Sequence, residues 1–196
     1  MKRHILWLLP MITLLLTGCP RCGDPEELYM GPLPDEALGY VPYHNGETVR
    51  FLHSRNMSVT FTAWRATWPQ ESSLCGECCD KIIHYETNIT QLVPDYPLFD
   101  IRLEIANPDE SLYWLTATVG GSSFRIPTNG PDTSTATRVD SIQVDSTWFH
   151  DVYLLQGSWG TPGEEAVYVD SIWYNHTEGI LKIIMSNEEY YTLTRE

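Results

Sequence analysis

Period-two alternation of apolar and polar residues constrains this chain more than any other feature of it. In "MSVTFTAW", Met57, Val59, Phe61 and Ala63 fall on one face, and Ser58, Thr60 and Thr62 on the other. "FDIRLEIA" repeats the pattern, with Phe99, Ile101, Leu103 and Ile105 set against Asp100, Arg102 and Glu104. In "YWLTATV", Tyr113, Leu115, Ala117 and Val119 alternate with Trp114, Thr116 and Thr118. Successive strand side chains point to opposite faces, so such runs mark strands of an antiparallel sheet with one face buried.

Further strands are predicted over 48–54, 81–93, 138–145, 149–156, 166–175, 180–186 and 189–194. The segments "NPDE", "GG", "TNGPD", "GTPG" and "SNEE" supply turn chemistry between most of them. No stretch of ten residues carries a helical apolar stripe. About ten short strands joined by polar turns predict an all-β fold, an antiparallel sandwich or barrel, over residues 47–196. "VDSI" occurs at Val139–Ile142 and again at Val169–Ile172, and "TNGPDTSTAT" interrupts the apolar pattern at 128–137. Two organisations therefore stay open: one β unit, or two similar halves at 47–127 and 138–196.

The N-terminal end follows a different logic. Lys2 and Arg3 precede an apolar run from Ile5 to Leu16 that is interrupted by Pro10 and Thr13. Twelve residues fall short of the roughly 20 that a membrane-spanning helix needs, and a basic start before a short apolar run is the layout of a signal peptide. The run ends Leu16-Thr17-Gly18-Cys19. This segment resembles the lipobox of bacterial lipoproteins. The resemblance implies a signal peptide over 1–18, cleavage before Cys19, lipid on its sulfur and a place in the cell envelope. Pro20 follows where some lipoproteins carry an inner-membrane retention aspartate, so the outer membrane is implied.

Removal of 1–18 leaves ten Lys and Arg against 26 Asp and Glu, a formal charge of −16. Such a surface repels phosphate backbones, so a nucleic-acid partner is not expected. Residues 19–46 are rich in proline and glycine and read as a lipid-anchored tether.

"VYVDSIWYNHTEGILKIIMSNEEYYTL" and "YVPYHNGETVRFLHS" are similar to the last hairpin and first strand of small lipoproteins of the phylum Bacteroidota. The matching positions of the hairpin are Tyr174, Gly179, Ile180, Leu181 and Lys182. The likeness implies a small lipid-anchored β-protein and no particular activity.

The densest group of reactive side chains is "SSLCGECCDKIIHYE", with Cys75, Cys78, Cys79 and His84. A Cys-x-x-Cys redox centre normally opens a helix within a βαβ unit, and none is legible here. A structural zinc site normally shows two spaced pairs of ligands, and one is present. Disulfides fit best, since envelope thiols tend to be oxidised. With Cys19 lipidated, Cys22, Cys75, Cys78 and Cys79 form an even set. Bonding the neighbours Cys78 and Cys79 strains their peptide, so two pairings remain, both joining Cys22 to Cys78 or Cys79.

Catalytic spacing is absent: there is no His-Glu-x-x-His, no nucleophile elbow and no phosphate-cradling glycine loop before a helix. His150-Asp151 reads as a polar pair on a strand. Trp68 in "TWPQ" and Trp159 in "GSWGTPG" are the ligand-stacking candidates, because a loop tryptophan can stack on a sugar ring or anchor a protein interface. The expected function is a non-enzymatic binding or structural component of the outer membrane, with neither cofactor nor metal. Its expected partners are the membrane and an envelope protein or glycan. A glycan-binding accessory lipoprotein, or a thiol or metal protein built on "CGECC", are the alternatives.

Overall fold

The computed structural model describes residues 24–75, 79–96, 98–109, 112–128, 136–158 and 167–194, leaving aside the side chains at 74–75 and 79–80. The strands are β1 Glu26–Tyr29, β2 Thr48–His53, β3 Ser58–Cys75, β4 Cys79–Pro94, β5 Ile101–Asp109 and β6 Leu112–Val119. They continue with β7 Ser122–Ile126, β8 Thr137–Val144, β9 Thr147–Gln156, β10 Val169–Asn175, β11 Gly179–Met185 and β12 Tyr190–Leu193. A five-residue helix, α1 (Asp35–Gly39), is the one helix among the described residues.

The fold is the all-β one that the alternation predicts, built as a single sheet in the order β7-β6-β5-β4-β3-β2-β12-β11-β10-β9-β8. Neighbours along this path are antiparallel, and β1 adds to β4 in parallel. The sheet curls until β7 meets the end of β9. Ser123 and Ser158 exchange backbone hydrogen bonds of 2.9 and 3.3 Å, and the Ser122 hydroxyl donates to the Val169 carbonyl at 2.7 Å. The result is a half-barrel whose concave side holds the core. Phe51, Phe61, Leu103, Ile105, Leu115 and Phe124 come from one end of the chain, and Leu155, Ile172, Tyr174 and Ile183 from the other. The stretches 47–127 and 138–196 thus share one sheet and one main core. A smaller cluster of Val144, Phe149, Val152 and Leu181 lies beside β8 and β9.

The structure departs from the expected tether over 19–46. From Glu26 onward that segment is part of the fold. β1 pairs with β4, and Leu33, Ala37, Val41 and Tyr43 are buried in the main core. Its prolines and glycines conceal an apolar set too sparse to show a period, and the concave sheet supplies the surface that buries it. Arg65 fixes this plug from below. Its guanidinium donates to the carbonyls of Leu38, Val41 and Tyr43 at 2.9–3.2 Å, and its Nε donates to Asn88 Oδ1 at 2.8 Å.

The segment entering β2 and the β10–β11 hairpin meet here. The Tyr174 hydroxyl donates to the Tyr40 carbonyl at 2.6 Å, and the Ile180 amide donates to the Tyr43 hydroxyl at 2.7 Å. Gly179 has φ +80°, and a Cβ there would lie 2.2 Å from the Tyr43 hydroxyl. Both the backbone conformation and the space therefore require glycine.

β3 and β4 extend well past the rest of the sheet as an arm, with β1 on its β4 edge. Sequence patterning places a loop at "TWPQ", yet β3 runs straight through it. The reason lies in hydrogen-bond parity. Ala63 and Arg65 donate their amides on the edge away from β4, to the Glu47 carbonyl and to Asn45 Oδ1. Pro69 has the same parity, so its missing N–H falls on an edge that no described strand pairs with there.

Candidate functional site

The sequence-predicted residues lie apart from one another. Cys19, Cys22, Cys78 and Trp159 fall outside the described residues, as do the side chains of Cys75 and Cys79. The backbones of those two cysteines are register partners at the end of the β3–β4 arm. His84 lies farther along the arm, with its ring stacked on Tyr29 at 4.5 Å and its two nitrogens 3.9–4.0 Å from Glu71 and Glu27.

Trp68 sits in mid-strand on the outer, convex face of the sheet. Register places three rows across that face. One runs Trp68, Thr87, Ala106, Trp114; the next runs Ala66, Ile89, Glu104, Thr116, Arg125; the third runs Trp64, Gln91, Arg102, Thr118, Ser123. Trp64, Trp68 and Trp114 are 47%, 48% and 51% exposed.

A concave site lies elsewhere, where the β10–β11 turn faces β8 and β9. Arg138, Trp148, His150, Asp151, Tyr153 and His176 are among the residues lining a cleft of 490 Å³ there. The turn is rigid for local reasons. Asn175 Oδ1 accepts the Glu178 amide at 2.7 Å, and Asn175 Nδ2 donates to the His150 carbonyl at 3.3 Å. This fixes His176 among Tyr40, Tyr153 and Tyr174, with ring centroids 4.7, 5.2 and 5.9 Å away.

His176 Nε2 is 2.9 Å from the Pro127 carbonyl. A carbonyl only accepts, so Nε2 carries the proton and the neutral ring keeps Nδ1 as an acceptor. Burial lowers the His176 pKa below its ordinary value, and Arg138 adds to that, while the Pro127 bond and Asp151 oppose it.

On the opposite wall Arg138 Nη2 donates to Asp151 Oδ1 at 2.5 Å. Asp151 takes φ +52° within β9. That kink puts Phe149 and Val152 together in the smaller core, while His150 and Asp151 line the cleft. Trp148 stands at the rim, 60% exposed. A second cleft of 430 Å³, lined by Leu38, His44 and Arg65, shares His176 and Thr177 with the first.

Among the described residues no group of three His, Cys, Asp or Glu side chains could hold a metal ion. An indole, a phenol, a carboxylate–guanidinium pair and an imidazole acceptor instead offer apolar faces and directional hydrogen bonds in one concavity. That combination suits a neutral polyhydroxylated ligand. No family model, curated protein or solved structure matches the chain.

Sequence reading singled out Trp68 and Trp159 and passed over Trp148 and His176. One signal was available. The apolar period of "TWFHDVYLL" slips from two to three between Phe149 and Val152, where Asp151 takes φ +52° while the β8–β9 register runs on unbroken.

Proposed function

We propose that this chain is a non-enzymatic, lipid-anchored binding protein of the bacterial outer membrane, and that the cleft at His176 takes a glycan. The observation that carries the glycan reading is the convergence of Trp148, Tyr153, His176 and the Arg138–Asp151 pair on one cleft. The Leu16–Cys19 lipobox carries the anchor and the address. Sugar rings present C–H faces that stack on indole and hydroxyls that bridge carboxylate and guanidinium groups. His176, neutral near pH 7 because burial favours that form, adds an acceptor without adding charge.

The cysteines serve the same envelope setting as a staple. Cys22 stands four positions before Glu26, and Glu26 pairs with Lys81, two positions after Cys79. Cys75 and Cys79 are register partners. These relations favour Cys75–Cys79 with Cys22–Cys78 among the two pairings open. Cys22–Cys78 closes a loop of more than 50 residues, which contributes roughly 4 kcal/mol in a chain-entropy estimate.

Glycan-array binding tests the ligand class. The purified protein is expected to retain a subset of oligosaccharides, and Trp148→Ala to weaken retention roughly tenfold or more, as loss of an aromatic anchor does. Retention of none, or retention indifferent to Trp148→Ala, removes the reading. The anchor has its own test in membrane fractionation of Cys19→Ala, where release or mis-processing is expected and unchanged membrane association refutes lipidation.

A further inference from the structure

The outer face crossed by the three rows has no role in the cleft, and its composition is unlike that of the chain. Trp64 and Trp68 are four residues apart on β3, about 13 Å, and Trp114 lies three strand spacings from Trp68, about 14 Å. Between them Thr87 and Ala106 are buried although they share the outward face. In a chain with 26 carboxylates, Glu104 is the one acidic residue in these rows, and it is paired with Arg102 at 2.8 Å. Arg125 stands 5.9 Å over the Trp114 ring. The face is therefore aromatic and spared the negative charge that would repel a bilayer surface.

The distance to the anchor is also short. β1 begins at Glu26, seven residues after Cys19, and seven residues span at most about 25 Å. β1 belongs to the same sheet as the tryptophans. We propose that the face bearing Trp64, Trp68 and Trp114 lies against the lipid surface. The half-barrel then rests on its convex side, with the indoles at headgroup level, where their amphipathic rings are stabilised. This inference rests on the anchor part of the proposed function, and the experiment separates the two.

The chain from residue 20 contains every described strand and has neither apolar leader nor acyl chains. It is mixed with phosphatidylcholine–phosphatidylethanolamine vesicles, and with vesicles containing a brominated phosphatidylcholine that quenches indole fluorescence. Expected are measurable co-flotation, quenching, and a roughly tenfold loss of partition in Trp64→Ala/Trp68→Ala/Trp114→Ala, since interfacial binding scales with buried apolar area. Thr116→Glu, which adds a carboxylate to the middle row without emptying the core, is expected to weaken partition too, and its circular dichroism and melting confirm the fold. Absence of flotation, flotation unchanged in both variants, or binding of a soluble glycan through these tryptophans overturns the proposal. Because the vesicle assay uses unlipidated protein, a failed anchor shows only in the Cys19→Ala fractionation.

Discussion

Gly179, Tyr43 and Arg65 are the residues that seat the N-terminal segment against the sheet. Gly179→Ala forces a left-handed conformation on a residue with a Cβ, costing about 1–2 kcal/mol. It also drives that Cβ into the Tyr43 hydroxyl, where overpacking adds about 1–3 kcal/mol. A drop in melting temperature of roughly 6–12 °C is expected by calorimetry, and an unchanged melt contradicts the packing described. Arg65→Lys is expected to destabilise as well, by about 2–3 kcal/mol in urea unfolding, because one ammonium cannot satisfy Asn88 and three carbonyls at once.

Two titrations belong at this scale. The His176 pKa is lowered in the folded state, so the unfolded chain binds the proton more tightly. Stability is then full above the unfolded value, near 6.5, and falls as pH drops below it. His176→Gln should flatten that slope in denaturation measured between pH 7 and 5. Burial raises the phenols of Tyr43 and Tyr174. Their contribution is complete below about pH 10 and is lost on further alkalinisation, so the fold should fail on the alkaline side as the buried phenols ionise.

At the level of elements, the body strands were legible and the arm was not. "FDIRLEIA" and "YWLTATV" bury the faces that their alternation predicts, because each pairs on both sides within the sheet. β3 beyond Trp64 was illegible because the arm lies outside the core, where no single buried face imposes a period. β1 and α1 were illegible for a related reason, since their burial is set by a concave surface assembled from residues far along the chain. The Trp68 position shows the consequence: a residue read as a loop tip is a mid-strand member of a cross-strand row. If the staple forms as proposed, peptide mapping of the native protein without reductant should recover Cys75 linked to Cys79 and Cys22 linked to Cys78. Free thiols at these four positions would contradict it.

For the whole molecule, composition and the N-terminal segment suggested an address, while the chemistry of the site came from topology. Trp148 and His176 are 28 positions apart and join one cleft because the β10–β11 turn folds back on β9. The Asp151 kink and the Asn175 turn both have sequence signatures, but neither says what it faces. Anchor, convex tryptophan face and concave cleft divide the work in the proposed account: the anchor holds the membrane, the convex face rests on it, and the cleft binds. The measurement that tests this division most directly is a saccharide titration followed through the indole N–H resonances of the isotopically labelled chain from residue 20. The account predicts that Trp148 shifts with ligand while Trp64, Trp68 and Trp114 do not. Shifts confined to the convex tryptophans, or none with any saccharide at millimolar concentration, would contradict it.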